Sequence, residues 1–402
     1  MQTLEQLKNG ELAGSRRLKL SEGLTHFPEA IYSLAETLEV LDLSDNQLSD
    51  LPDDLHRFSQ LRILFASNNR FQHIPDGIGL CPQLSMLGFK HNQIQQVSEQ
   101  CLPSSLRWLI LTDNHIESLP HNFGCLTRME KLMLAGNKLK RLPDSMLSME
   151  QLGLLRISAN ELEAFPDFVL QLPRLAWLAF AGNPFCDERG THDHFPTIES
   201  STLEMHELLG RGASGLISRA SWTCEQTALR VDAEESVAVK VFRGDVTSDG
   251  YPQDELDACL SISEHPNLVS PIARIQEPGR DAMVMKLIPD HYDNLGQPPS
   301  LDSCTRDTFL PEQSLTHDEV DQLVAQMTSV VEHLEAHEVC HGDLYAHNTL
   351  INGEGHILFG DFGAASRYDY LNDVQKAGLQ QIERRALAYF EEDLRGLVPQ
   401  AD

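Results

Sequence analysis

The sequence predicts an α/β solenoid of short repeats in the first half of the chain and an α+β domain in the second half. Two observations support this division. Asparagines recur at nearly constant spacing from Asn46 to Asn183, and four short motifs follow in order between Leu209 and Gly363. With 402 residues and 41% apolar residues, the chain can form two or three domains, each with its own core.

The asparagines belong to the pattern L-x-x-L-x-L-x-x-N-x-[LIF], and successive ones lie 22 or 23 residues apart. They are Asn46, Asn69, Asn92, Asn114, Asn137, Asn160 and Asn183. The leucines point into a common core, and the asparagine side chain satisfies backbone groups where each strand turns. This pattern is typical of leucine-rich repeats, and it predicts seven of them in a horseshoe-shaped solenoid over residues 38–185.

The segments that flank the repeats have different characters. Residues 1–37 are expected to form an N-terminal cap with an imperfect first repeat, because Leu20, Leu24 and Phe27 follow the pattern with one residue missing. The third full repeat is also one residue short and has Val97-Ser98 where most repeats have Leu-Pro or Ile-Pro. Residues 186–202 are polar without an apolar period, which predicts a linker.

Alternate residues of each repeat strand are expected to face solvent on the concave side of the solenoid. Many of these residues are large and apolar, and two are basic. The side chains expected at this surface are Phe65, Met86, Trp108, Lys131, Met133, Arg156 and Trp177. Such residues are typical of binding hot spots, so they predict a protein-binding face. The alternative is that another part of the same chain covers it.

The motif most informative about function is HGDLYAHNTLINGEGHILFGDFG at residues 341–363. Asp343 precedes Asn348 by five residues, and Asp361 opens a DFG triplet after two short apolar strands. This arrangement is typical of phosphoryl transfer. An acidic side chain accepts the proton of the attacking hydroxyl, while an amide and a second carboxylate hold Mg²⁺. Asp343 and Asn348 are therefore catalytic candidates, and Asn348 and Asp361 are the candidate metal ligands.

Two further motifs precede this one at suitable distances. The first has the spacing G-x-G-x-x-G-x-[VI], in which glycines allow a backbone loop to approach phosphates closely. Its candidate nucleotide-binding residues are Leu209, Gly210, Gly212, Ser214, Gly215 and Ile217. The second is Val237-Ala238-Val239-Lys240, whose lysine reaches the α and β phosphates. A lone glycine pattern is more often a turn between strands, but here the order and spacing of four motifs agree.

These motifs resemble those of protein kinases, and together with the repeats the chain resembles bacterial leucine-rich-repeat protein kinases. The resemblance implies a bilobal α+β kinase-like domain over residues 203–402, with ATP and Mg²⁺ as cofactors. It implies transfer of the γ-phosphate to a protein hydroxyl, with Ser or Thr favoured over Tyr. Ala238, Met285 and Leu287 would line the adenine pocket. Lys240 would contact phosphates and pair with Glu255, or else with Asp254 or Asp257.

The sequence also departs from the kinase pattern. Gly342 replaces the usual arginine before the catalytic aspartate, so regulation by activation-loop phosphorylation is not expected. Tyr345 and His347 occupy positions where kinases place a basic residue. Only 39 residues follow Gly363, and A-P-E is absent, which predicts an abbreviated C-lobe. Within this tail Glu383 takes the place of a buried aspartate, and farther upstream a capping box at Thr316 predicts a long amphipathic helix.

The charge is distributed unevenly. Residues 1–190 contain 17 basic and 23 acidic residues, whereas residues 191–402 contain 14 basic and 37 acidic residues. A net charge of -29 disfavours nucleic acid and anionic membranes as partners. The sequence has no membrane helix or signal peptide pattern, and its eight cysteines form no C-x-x-C motif. A cytoplasmic protein with reduced thiols is expected; delivery to another cell and the oligomeric state stay open.

Three functions from different classes remain. The first is an active protein kinase whose repeats recruit the substrate. The second is a catalytically weak scaffold, against which the presence of Lys240, Asp343, Asn348 and Asp361 argues, because folding alone requires none of them. The third is a small-molecule kinase, because HGDL without the arginine also occurs in aminoglycoside- and choline-type kinases. The glycine motif, the DFG triplet and the attached repeats argue against this third function.

Overall fold

The computed structural model describes residues 2–187, 189–190, 192, 195–212, 214–223, 236–243 and 246–399. These residues form two compact units. The first unit runs to Leu175 and includes Asn183–Phe185, and the second contains Ala176–Gly182 and the residues from Cys186 onward. The segment Ala176–Gly182, which is part of the seventh repeat in the sequence, thus belongs to the second unit.

The first unit consists of a short helix and a ladder of three-residue parallel strands. Helix α1 (Leu4–Lys8) starts at a capping box formed by Thr3 and Gln6. The strands are β1 (Arg17–Lys19), β2 (Val40–Asp42), β3 (Ile63–Phe65), β4 (Met86–Gly88), β5 (Trp108–Ile110), β6 (Lys131–Met133) and β7 (Leu154–Arg156). Each strand pairs in register with the next. From β2 onward, every strand covers the third to fifth positions of its repeat.

The repeat asparagines satisfy the backbone where each strand ends. Asn137 donates from Nδ2 to the carbonyls of Leu111 and Leu134, both at 2.9 Å, and its Oδ1 accepts from the Ile116 N–H at 3.1 Å. The other repeat asparagines are buried in the same way. The residue before each one has a positive φ of 53–74°: Asp45, Asn68, His91, Asp113, Gly136, Ala159 and Gly182. The turn therefore depends on left-handed backbone as well as on the asparagine.

The opposite side of the ladder consists of short 3₁₀ turns. Several follow directly on a proline, as after Pro28, Pro75, Pro143 and Pro166. The remaining turns of the unit are Leu55–Arg57 and Phe123–Cys125. No such turn occurs between β4 and β5, all of whose residues are described, and this is the repeat that is one residue short. The same repeat has Val97-Ser98 where most repeats have Leu-Pro or Ile-Pro, so it lacks both the proline and the turn.

The second unit begins with strand β8 (Trp177–Ala179) and continues into an antiparallel sheet. The sheet strands are β9 (Thr197–Ile198), β10 (Leu203–Arg211), β11 (Gly215–Trp222), β12 (Ser236–Phe242), β13 (Pro271–Glu277) and β14 (Arg280–Lys286). Their spatial order is β10-β11-β12-β14-β13-β9. Strand β9 pairs parallel with β13, so part of segment 186–202 is an edge strand of this sheet. Helix α2 (Pro252–Ser261) follows β12 in the chain.

The rest of the second unit is mainly helical. Helix α3 (His317–Ala336) starts at the predicted capping box of Thr316 and Glu319, and helix α4 (Asp373–Arg395) packs against it. The short strands here are β15 (Asp293–Asn294), β16 (Val339–Cys340), β17 (Thr349–Ile351), β18 (Ile357–Phe359) and β19 (Ser366–Arg367). They form the sheet β15-β17-β18 and the pair β16-β19. Within the described ranges, no helix is long and apolar enough to cross a membrane.

Candidate active site

A cavity of about 560 Å³ lies between the antiparallel sheet and the helical part of the second unit. Most of the predicted nucleotide-binding and metal-binding residues line it. They are Leu209, Gly210, Gly212, Ser214, Ile217, Ala238, Lys240, Glu255, Met285, Leu287, Asn348 and Asp361. Gly215 and Asp343 do not belong to the lining, although Asp343 contacts Asn348, which does. The fold thus brings together residues that are more than a hundred positions apart in the chain.

The three glycines of the turn between β10 and β11 have two different roles. A Cβ on Gly210 or Gly212 would meet no atom within 4 Å, so their backbone is open toward the cavity. A Cβ on Gly215 would lie 2.3 Å from the Val241 carbonyl oxygen of the paired strand β12. Close strand packing therefore requires Gly215, while open backbone at Gly210 and Gly212 suits a phosphate. The glycine motif by itself predicts one role for all three residues, and the structure gives Gly215 a different one. Ala213 lies outside the described residues.

Lys240 on β12 forms a buried ion pair with Glu255 on α2, and the two residues are 7% and 2% exposed. Burial opposes the charge of the lysine, but the carboxylates of Glu255 and Asp361 outweigh it and raise the pKa of Lys240 above its ordinary value. Lys240 is therefore charged at neutral pH, at the place where phosphates would bind.

The other two acidic candidates on α2 have different partners. Asp254 binds Arg189 at 2.5 Å. Asp257 accepts from the Gly190 N–H at 2.7 Å, from His192 Nε2 at 2.6 Å and from Arg367 at 3.0 Å. Only Glu255 of the three contacts Lys240, and the network around Asp257 ties α2 to strand β19.

The catalytic loop, residues 341–348, follows strand β16. Helix α4 contacts the start of this loop through Glu383. Glu383, 5% exposed, accepts from the backbone N–H groups of His341 at 2.9 Å and Gly342 at 3.0 Å. Asn348 Nδ2 donates to the Asp343 carbonyl at 3.0 Å and to its Oδ2 at 3.2 Å. A single buried carboxylate therefore sets the start of the loop, and the candidate metal ligand orients the candidate base.

Gly342 cannot be replaced by the arginine that kinases usually have there. Its φ is +71°, and a Cβ would lie 2.6 Å from the carbonyl oxygen of Leu178 and 2.8 Å from that of Ala364. No L side chain fits this backbone and this space without rearrangement. The departure noticed in the sequence is thus a steric requirement of this fold.

The DFG triplet is anchored by aromatic packing. The His341 ring lies 4.1 Å from the Phe359 ring and 4.7 Å from the Phe362 ring, between centroids, and its Nε2 lies 3.0 Å from the Gly360 carbonyl. Asp361 has a φ of +59°, which is strained for a residue other than glycine, and its carboxylate accepts from the Gly363 N–H at 3.4 Å. In this backbone conformation Asp361 lines the same cavity as Lys240 and Asn348.

Sequence reasoning missed several residues of the site. Asp307 accepts from the Ala346 N–H at 2.5 Å and contacts His347 Nδ1 at 2.5 Å, and His347 lines the cavity. No motif could have indicated Asp307, because it lies in an irregular segment before α3. Cys259 also lines the cavity, and burial raises the pKa of its thiol well above the ordinary value. Its position four residues after Glu255 was a usable signal, since both lie on one helix face.

The expected exposure of the concave-face residues is wrong for four of the seven. Met86, Met133, Arg156 and Trp177 are buried. The parallel ladder places Met86 between Ile63 and Trp108, so large neighbours in register cover it on both sides. Trp177 is covered by aromatic side chains of its own unit. Phe65, Trp108 and Lys131 are half-buried, and the Lys131 Nζ lies 4.2 Å from the centre of the Trp108 ring.

Models of two protein families match segments of the chain. Residues 203–388 match the model of the protein tyrosine and serine/threonine kinase family, and residues 37–58 match the leucine-rich repeat model. The chain therefore contains leucine-rich repeats followed by a protein kinase domain. The predicted fold class, a repeat solenoid followed by a kinase-like domain, is confirmed.

The curated relatives match the chain at low identity. A probable serine/threonine-protein kinase of Dictyostelium discoideum is 26% identical over 174 residues, which cover 43% of this chain and 11% of that protein. Fibroblast growth factor receptor 1 of Xenopus laevis is 22% identical over 190 residues, covering 44% and 23%. The serine/threonine-protein kinase PITSLRE of Drosophila melanogaster is 25% identical over 191 residues, covering 46% and 18%. The matches thus span less than a quarter of each relative.

A solved structure of a leucine-rich-repeat protein from Leptospira interrogans aligns with a TM-score of 0.27 and 21% identity, covering 47% of this chain and 66% of that one.

Proposed function

We propose that this protein is an ATP- and Mg²⁺-dependent protein kinase that phosphorylates Ser or Thr hydroxyls. The observation that carries the proposal is the buried Lys240–Glu255 pair, which lines the same cavity as Asn348 and Asp361. A buried cation with a raised pKa suits the phosphates, and an amide beside a carboxylate suits Mg²⁺. The residues present therefore fit both the nucleotide and the metal.

Each residue has a separate task in this proposal. Asp343 accepts the proton of the attacking hydroxyl, and its hydrogen bond from Asn348 orients the carboxylate for this step. Lys240 binds the phosphates, and Glu255 keeps it in place. Asn348 and Asp361 would hold Mg²⁺, which supplies neutralisation of the phosphate charge. A Cβ on Gly210 or Gly212 would meet no atom within 4 Å, so these two positions leave room for phosphates close to the same groups.

The choice of Ser or Thr as acceptor is supported by the names of two relatives, which are described as serine/threonine-protein kinases. The catalytic loop gives no independent support, because neither Tyr345 nor His347 is the basic residue found at these positions in other kinases. The acceptor must therefore be determined by experiment.

The test is incubation of the full-length protein with radiolabelled ATP and Mg²⁺. Asp343→Asn is expected to reduce label transfer to protein by about 10² to 10⁴-fold, because the general base is lost. Asp318→Asn is a matched control, since Asp318 is exposed in the first turn of α3. Phosphoamino-acid analysis of the labelled protein identifies the acceptor.

Two results would contradict the proposal. If the wild-type protein forms no ADP and transfers no label, the scaffold hypothesis is favoured. If label passes to aminoglycosides or choline but not to protein, the protein is a small-molecule kinase.

We further propose that the repeats recruit a protein partner or the substrate. Support comes from the repeats themselves and from the partly exposed Phe65, Trp108 and Lys131. Co-purification with the Asp343→Asn protein should capture this partner. The double variant Trp108→Ala/Lys131→Ala is expected to lose capture, whereas Glu99→Ala, an exposed position of the same unit, should retain it. Equal capture by both variants would contradict the role of this surface.

A further inference from the structure

The segment Ala176–Gly182 is part of a repeat by sequence, but it lies in the second unit, which contains the candidate active site and is called the catalytic unit below. The largest side chain of the segment, that of Trp177, is 3% exposed. The contacts of this segment go to two parts of the active site, namely the catalytic loop and the chain directly after the DFG triplet.

Toward the catalytic loop, the Trp177 Nε1–H donates to the Leu344 carbonyl at 3.0 Å. The Trp177 ring also stacks on Tyr345, with 4.7 Å between centroids and 12° between planes. Leu344 and Tyr345 are the two residues that follow Asp343. Both the backbone and the next side chain after the candidate base are therefore fixed by one tryptophan.

The stack extends in both directions. Tyr389 on α4 lies 5.6 Å from the Trp177 ring, and His347 lies 4.9 Å from the Tyr345 ring. One end is covered by the Arg306 guanidinium, 4.7 Å from the centre of the Tyr389 ring, and at the other end Asp307 binds His347. Because Arg306 and Asp307 are consecutive, one short segment holds both ends of the stack.

Toward the chain after DFG, the backbone N–H groups of Phe180 and Ala181 both donate to Ser366 Oγ at 3.1 Å. Ser366 is fully buried. The next residue, Arg367, binds Asp257 on α2, the helix that carries Glu255. Contacts from Ala176–Gly182 therefore lead to the catalytic loop, to the segment after DFG and, through Arg367, to α2.

We propose that Ala176–Gly182 is a built-in activating segment, which holds the catalytic loop and the chain after DFG in the arrangement for phosphoryl transfer without a phosphorylated residue. This inference rests on the proposed kinase function. Gly342 leaves the loop without its usual arginine, and Tyr345, 4% exposed, lies against Trp177. Trp177 and Tyr345 are positioning residues that act on Asp343 through the backbone that carries it, and Ser366 is a positioning residue for the chain after DFG.

The experiment measures kcat and KM for ATP with full-length variants. Trp177→Ala is expected to lower kcat by about tenfold to a hundredfold, because a small displacement of the base is costly. KM for ATP should stay within about twofold, because most proposed nucleotide contacts lie on β10 to β12 and around the end of β14, away from Leu344 and Tyr345, which Trp177 contacts. Trp177→Phe keeps a ring for stacking but loses the N–H donor to the Leu344 carbonyl. We therefore expect kcat to fall about threefold.

Two further variants separate positioning from general destabilisation. Ser366→Ala removes the acceptor of two N–H groups and should lower kcat while KM stays constant. Phe71→Ala truncates a buried ring in the first unit, and it should lower the melting temperature without changing kcat below that temperature. Hydrogen exchange of residues 341–348 should increase in Trp177→Ala and not in Phe71→Ala.

Treatment of the wild-type protein with a broad-specificity phosphatase should leave kcat unchanged. The proposal is overturned if phosphatase lowers kcat tenfold, or if Trp177→Ala and Ser366→Ala keep the kcat of Phe71→Ala. If the wild-type protein transfers no phosphate, the proposed function fails by itself. Hydrogen exchange then decides the inference, and unchanged protection of residues 341–348 in Trp177→Ala would refute it.

Discussion

In the first unit one asparagine per repeat performs the same task seven times, whereas in the catalytic unit each buried polar side chain has a task of its own. Asn137 and its equivalents bind backbone groups with nearly the same distances in every repeat. Among the residues that the structure describes, Glu383 and Glu255 have no such copies. Substitution of one repeat asparagine should therefore mainly lower the stability of the first unit. Substitution of a residue that has a single role near the active site should mainly lower activity.

Substitution of Gly342 should have the largest effect on folding and stability. Gly342→Arg restores the usual kinase residue but is expected to prevent folding of the catalytic unit, because no space exists for its Cβ. Gly342→Ala should lower the free energy of unfolding by about 4 kcal/mol, from left-handed backbone strain and overpacking together. The control is Gly10→Ala in the first unit, where φ is +77° and no atom lies within 4 Å. Urea denaturation measures both, and equal losses would disprove the steric argument.

Glu383→Gln should affect activity more than any substitution in the first unit. An amide offers one oxygen, so one of the two backbone N–H groups of His341 and Gly342 loses its acceptor. We expect kcat to fall about tenfold and stability to fall by about 2 kcal/mol. Glu391→Gln on the same helix, half-exposed and paired with Arg395, should change neither by much. Unchanged kcat in Glu383→Gln would show that the loop is held by other contacts.

Asn137→Ala should lower stability without lowering activity, in contrast to Glu383→Gln. It leaves the N–H of Ile116 and the carbonyls of Leu111 and Leu134 without the side-chain partner, at a cost of about 2 kcal/mol in the first unit. Label transfer at temperatures well below unfolding should be unchanged. Asn122→Ala is the matched control, since Asn122 is exposed and its side chain makes no capping bond. A fall in kcat without a fall in stability would contradict the comparison between units.

The smallest effect is expected at the turn before each repeat asparagine. Ala159 has a φ of +53° at a position where the neighbouring repeats have Gly136 and Gly182. Ala159→Gly should stabilise the first unit by about 0.5 kcal/mol, because relief of left-handed strain exceeds the added chain entropy. Gly136→Ala should destabilise it by about 1 kcal/mol. Thermal unfolding of both variants checks the signs, and a destabilised Ala159→Gly would argue against strain at this turn.

The motif residues show where sequence reasoning succeeds. The spacing from Asp343 to Asn348 and the DFG triplet concern neighbours in the chain, so their arrangement follows from local geometry. The same holds for the capping box at Thr316, which begins α3. The choice among Asp254, Glu255 and Asp257 could not be made in this way, because it depends on how α2 is rotated against the sheet. Their partners, from Arg189 to Arg367, lie up to 110 residues away.

The sequence by itself determined the number of repeats, the place of each repeat strand and the order of the kinase motifs, because these are periodic or short-range patterns. Only the tertiary structure decided that Trp177 serves the catalytic loop and not the concave surface. Its hydrogen-bond partner, Leu344, is 167 residues away. A repeat position states which side of a strand a residue occupies, but what packs against that side depends on contacts that no local pattern encodes.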